Sequence, residues 1–103
     1  MAICQVFDNP HINEQQWQEI AQHVRATGPV PAEGSRLLLA GPFDGGWRVI
    51  TVWDSEEARE RFVSERLTPA YEKAGVPLGD VDPKVFAVHT LVAGDLTGIP
   101  QPV

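Results

Sequence analysis

With 103 residues, the chain has the length of one domain, large enough for a single core yet near the size at which burial barely suffices. Hydrophobic residues make up 43% and charged residues 21%, and no run approaches the roughly 18 apolar residues that a membrane helix needs, so a soluble globular protein is expected. The formal net charge is −6 and the eight Lys and Arg are scattered, which argues against nucleic acid or an anionic membrane as partner.

The first residues, Met1-Ala2-Ile3-Cys4-Gln5-Val6-Phe7, lack the basic start and long apolar stretch of a signal peptide, so the expected location is the cytoplasm. Cys4 is the sole cysteine, which rules out an intrachain disulfide and a thiolate metal cluster, and a buried, inert thiol is expected. Residues 2–7 alternate loosely and are rich in β formers, and Asp8-Asn9-Pro10 follows with turn chemistry, which predicts a first strand. Asn13 as N-cap and Gln16 three residues later form a capping-box pattern. Trp17, Ile20, Ala21 and Val24 then share one face of a helix ending near Gly28-Pro29.

After the Pro/Gly-rich stretch Gly28 to Gly34, Ser35 to Phe43 and Trp47 to Trp53 read as a hairpin with Gly45-Gly46 between them. In its second strand Trp47, Val49, Thr51 and Trp53 share one face and Arg48, Ile50 and Val52 the other. Asp54 is the expected N-cap of a second helix, with Glu57 at the capping-box position and Ala58, Phe62, Val63 and Leu67 towards a core. Pro69 predicts a kink or restart at Thr68, followed by a short piece from Pro69 to Ala74 that ends at Gly75. A last strand is expected over Lys84 to Val92, with His89 mid-strand among apolar neighbours. Residues 93–103 have no period and read as a tail or as an arm laid over a neighbour.

A β-α-β-β-α-β order places both helices on one side of the sheet, because each crossover prefers the right hand. The other side is left bare, although its strands carry apolar residues on both faces. Four strands of about five residues make a face of roughly 300 Å² in projection, already at the limit for a monomer. A homodimer through the sheet face is the expected partnership.

The element order, together with Gly45-Gly46-Trp47-Arg48-Val49-Ile50-Thr51-Val52-Trp53-Asp54-Ser55-Glu56-Glu57-Ala58, Arg61-Phe62 and Arg66-Leu67-Thr68-Pro69-Ala70, resembles the dimeric α/β-barrel superfamily. More narrowly, it is similar to antibiotic-biosynthesis-monooxygenase-like and stress-responsive barrel domains, over about residues 2–92 of the single domain 1–103. The resemblance implies an α+β, ferredoxin-like protomer with a four-stranded antiparallel sheet, paired face to face with a second copy. It also implies a ligand pocket between helices and sheet. The activities in that superfamily include cofactor-free monooxygenation, polyketide cyclisation and lactone isomerisation, and no single catalytic motif unites them.

His89 is the candidate acid/base, since burial or a carboxylate neighbour moves an imidazole across the working pH range. Tyr71 is a candidate for holding an oxyanion. Trp53, Trp47 and Phe62 are candidates for an aromatic or polyketide-like substrate, and Arg48 and Arg66 for its carboxylate or enolate. Packing and ion pairing account for the same residue types. His11, His23 and His89 have no metal-ligand spacing, so no metal is expected, and no Gly-rich nucleotide motif is present, so no cofactor is expected. The expected function is a cofactor-independent enzyme working by proton transfer; the alternative is a non-catalytic ligand-binding or assembly domain.

Overall fold

In a computed structural model, residues 1–78 and 82–99 are described. The elements in chain order are β1 (Ile3–Asn9), α1 (Glu14–Ala26), β2 (Ser35–Phe43), β3 (Gly46–Trp53), α2 (Glu56–Phe62), a π-helical turn (Val63–Leu67), α3 (Thr68–Ala74) and β4 (Lys84–Ala87). The four strands form one sheet in the order β2-β3-β1-β4, with antiparallel pairings throughout. This is the ferredoxin-like α+β arrangement expected from the element order. No helix among the described residues is long and apolar enough to cross a membrane. Residues 100–103, the end of the expected tail, lie outside the described residues.

Local chemistry sets the helix limits. The Asn13 side chain accepts a hydrogen bond from the Gln16 N–H at 2.8 Å, and the Gln16 side chain accepts one from the Asn13 N–H at 3.0 Å, which completes the capping box. Asn13→Ala is therefore expected to lower stability by about 1 kcal/mol, read as a shift of the urea midpoint at constant slope. The second helix is capped by Ser55, whose hydroxyl accepts from the Ala58 N–H at 3.1 Å, and not by Asp54 as expected. Asp54 is instead ion-paired with Arg36 of β2, so its carboxylate is engaged across the hairpin.

The expected restart at Thr68 is where α3 begins, and the chain does not leave helical geometry to reach it. The chain keeps helical dihedrals at Leu67 and Thr68 and widens into the π-helical turn just before the proline, which has no N–H to donate. Gly75 then ends α3 in the left-handed conformation, with φ 69°.

The last strand is shorter than expected. It spans Lys84–Ala87 rather than running to Val92, because its neighbour β1 begins at Ile3, which is paired with Ala87. One further bond, from the Val88 N–H to the Ala2 carbonyl at 2.9 Å, closes the ladder. His89 is thus beyond the strand and not within it.

Register assigns the two sheet faces. Ile3, Gln5, Phe7 and Asn9 lie opposite Trp53, Thr51, Val49 and Trp47, and this face meets the helices. Cys4, Val6 and Asp8 lie opposite Val52, Ile50 and Arg48 on the other face. An irregularity between Ser35 and Leu37 places Leu37 and Leu39 opposite Val52 and Ile50, which accounts for the non-alternating leucines of β2. Phe43 and Phe86 also belong to that open face, and Leu39, Phe43 and Phe86 are 48%, 47% and 55% exposed. The Cys4 thiol is buried, and burial pushes its pKa up.

Candidate functional site

On the helix-facing side, polar and aromatic groups form a continuous chain that starts in the middle of the sheet. The Arg59 Nη1 donates to the Gln5 side-chain carbonyl at 2.7 Å, and Gln5 lies opposite Thr51. The Trp53 indole N–H donates to the Thr51 hydroxyl at 2.9 Å. The Trp53 ring then packs on Phe62, with centroids 5.1 Å apart and planes tilted by 40°. Arg59 also pairs with Glu56 on its outer side, while its Nε is buried with no partner among the described residues.

Phe62 also borders a surface cleft of about 170 Å³ between α2 and the segment after α1, together with Gly28, Glu33, Arg61, Glu65 and Arg66. Arg66 is anchored there by two hydrogen bonds. Its Nη2 donates to the Val24 carbonyl at 2.9 Å, in the last turn of α1, which also accepts from the Thr27 N–H and hydroxyl, and its Nε donates to the Thr27 hydroxyl at 3.2 Å. The guanidinium carbon lies 5.4 Å from the Phe62 ring centroid. Gly28 leaves room for this seat, since a Cβ there would sit 3.2 Å from that same carbon and the guanidinium would have to give by a few tenths of an ångström. Nη1 of Arg66 makes no hydrogen bond among the described residues and is left for an oxygen acceptor.

Of the seven side chains expected from the sequence, Phe62, Trp53 and Arg66 converge at this cleft or directly behind it. Trp47 is buried at the other end of the helix layer, 6.1 Å from Trp17. It also borders a broader open groove of about 540 Å³ between the start of α1 and the hairpin turn. Tyr71 is enclosed in the core at 1% exposure, and burial pushes its hydroxyl up to about 12, partly offset by hydrogen bonding with Asn9. Arg48 is on the opposite face of the sheet, paired with Asp8. His89 is exposed rather than in an apolar setting, with Nδ1 2.6 Å from the Thr90 hydroxyl.

Three polar residues of this face were not singled out from the sequence: Gln5, Thr51 and Arg59. Parity holds the signal for the first two. Both share the strand face of Trp53, so a polar residue there must find a partner beneath the helices. Arg59 carries no comparable signal, because an arginine in a charged helix start reads as solvated.

No family model matches the chain, and none of the curated proteins matches it in sequence. The fold does have a counterpart among solved structures. A protein of Deinococcus radiodurans described as a "putative antibiotic biosynthesis monooxygenase" superposes with a TM-score of 0.58 at 15% identity, over 92% of this chain and 99% of that one. At that identity the likeness is one of fold, and it agrees with the ferredoxin-like α+β arrangement.

Proposed function

We propose that the chain is a small enzyme of the monooxygenase, cyclase or isomerase kind, working by proton transfer on a planar aromatic molecule bound at the Phe62–Arg66 cleft. One observation carries this reading: an aromatic ring and an anchored guanidinium with an unused donor meet at a single cleft, backed by Trp53. A ring can pack on Phe62 while Arg66 holds a carboxylate, phenolate or enolate oxygen. Positive charge fixed in advance at the oxygen favours the anion formed when a proton leaves carbon or hydroxyl. Glu33 and Glu65 are the carboxylates at the same rim. The volume narrows the substrate, since a cavity of about 150 Å³ suffices for benzene. A cleft of about 170 Å³ suits one ring better than a fused polyketide.

The enzyme reading includes a homodimer through the open sheet face, where Leu39, Phe43 and Phe86 are about half exposed. One observation favours the alternative, a ligand-binding domain without turnover: His89, the residue expected to move the proton, is exposed and does not border the cleft.

The test uses salicylate as a one-ring anionic probe and a hydroquinone as a trial substrate, read by tryptophan fluorescence and by oxygen consumption. Arg66→Met and Phe62→Ala should each raise the salicylate Kd about tenfold or more. Unchanged binding in both variants removes the cleft from the reading. Binding without oxygen uptake or product formation across a panel of one-ring phenols supports the non-catalytic alternative.

A further inference from the structure

We propose that the Asp8–Arg48 ion pair fixes the register in which two copies of this chain close sheet against sheet, an inference that rests on the dimer reading above. Asp8 and Arg48 face each other across β1 and β3. The Arg48 Nε and Nη2 donate to the two Asp8 carboxylate oxygens at 2.6 and 2.8 Å, and the guanidinium carbon lies 3.8 Å from the centre of the Phe43 ring. This bidentate, ring-stacked geometry uses both oxygens of the carboxylate. The neighbouring guanidinium holds the Asp8 carboxyl below its ordinary range.

The setting of the pair gives it this role. Val6, Leu39, Ile50, Phe43 and Phe86 share its face with Lys84 of β4, and Arg36 lies in the irregularity at the start of β2. Strands of 7, 9, 8 and 4 residues project to about 440 Å², taking ~3.3 Å per residue and ~4.8 Å between strands. That is about half of the ~800 Å² that each partner gives to a standard interface, before side-chain relief is counted. A second copy is the occupant that the Asp8–Arg48 pair fits. A two-fold axis sets the face against itself, and the pair, summing to zero, meets another neutral pair, whereas either residue alone would bring like charges together.

Enclosing an ion pair adds little affinity, because desolvation offsets the attraction. Breaking it between two sheets is costly, since one charge is left without a partner. The pair therefore selects among sheet-to-sheet registers that apolar contacts alone would leave nearly equivalent.

The experiment is sedimentation equilibrium on the wild-type chain, Asp8→Asn, Arg48→Met and the double variant Asp8→Leu/Arg48→Met, with circular dichroism and thermal melts to confirm that each folds. The wild type should be a dimer at micromolar concentration. Asp8→Asn should raise the dimer dissociation constant about a hundredfold, while the double variant stays within about tenfold of wild type. A dimeric wild type with Asp8→Asn equally tight overturns the role of the pair and leaves the dimer standing. A double variant as weak as the single one overturns it as well. A wild type that is monomeric at about 100 μM overturns the dimer reading and this inference together.

Discussion

Tyr71→Ala is expected to lower unfolding free energy by about 3–5 kcal/mol, a large share of the total for a chain of this length. Tyr71 is 1% exposed and lies in the cluster with Ile12, Ile20, Val24, Trp47, Ala70 and Val76, where α1 and α3 meet over the sheet. Truncation removes an aromatic ring from the point where three layers of side chain converge, and fixed backbone on each side limits collapse. Tyr71→Phe keeps the ring and isolates the hydroxyl. In the folded chain that hydroxyl titrates near 12, against 10.0 when unperturbed, because burial disfavours the phenolate. The folded state therefore holds the proton more tightly than the unfolded state. Its contribution to stability is complete well below pH 10 and falls as pH rises from 10 towards 12, by about 2 kcal/mol at the upper end. Urea melts at pH 8, 10 and 11 check this: Tyr71→Phe should remove the part of the alkaline loss that wild type shows. If both proteins lose stability in parallel, the buried phenol is not its source. Tyr71 does not border the cleft, and a direct part in holding an oxyanion would make Tyr71→Phe impair turnover without changing stability.

Elements whose signals are local were legible in the sequence. The capping box of Asn13 and Gln16, the apolar face of α1, the hairpin across Gly45 and the stop at Gly75 each depend on a few adjacent residues, and the chain adopts all four. The features that differed depend on partners distant in sequence. Asp54 is a good N-cap in isolation, yet it is engaged by Arg36, and Ser55 takes its place. Residues 88–92 look like strand by composition, but a strand extends only as far as its neighbour, and β1 begins at Ile3. His89 lost its expected setting for that reason. The site follows the same division. Parity alone put Trp53 and Thr51 on one face and Arg48 on the other, which register confirms. Phe62 and Arg66 are four residues apart on one helical run, but their meeting with Gly28 needed the end of α1 brought against the π-helical turn, which no sequence period encodes.

Gly46→Ala should be among the most damaging single-methyl substitutions in the chain, at about 3 kcal/mol, while Gly41→Ala five residues earlier should be neutral within about 0.5 kcal/mol. The contrast is one of space, since neither glycine has a positive φ. A Cβ at Gly46 would lie 2.5 Å from the Asn9 carbonyl oxygen and 2.7 Å from the Pro10 Cα, both backbone atoms with no rotamer to relax. A Cβ at Gly41 meets nothing within 4 Å. The end of β1 has little freedom to move aside. The Asn9 side chain donates to the Pro77 and Leu78 carbonyls, each at 3.3 Å, and accepts from the His11 N–H at 2.8 Å. Displacing Asn9 thus strains the entry to α1 and the segment after α3 together. The same displacement shifts Trp47, the register partner of Asn9, and with it the wall of the broad groove. Urea midpoints at constant slope measure both substitutions. Equal midpoints would mean that β1 yields at its end without cost, and that Asn9 does not tie these segments together. A large loss at Gly46 alone would identify the contact between the hairpin and the end of β1 as the joint that holds the helix layer on the sheet.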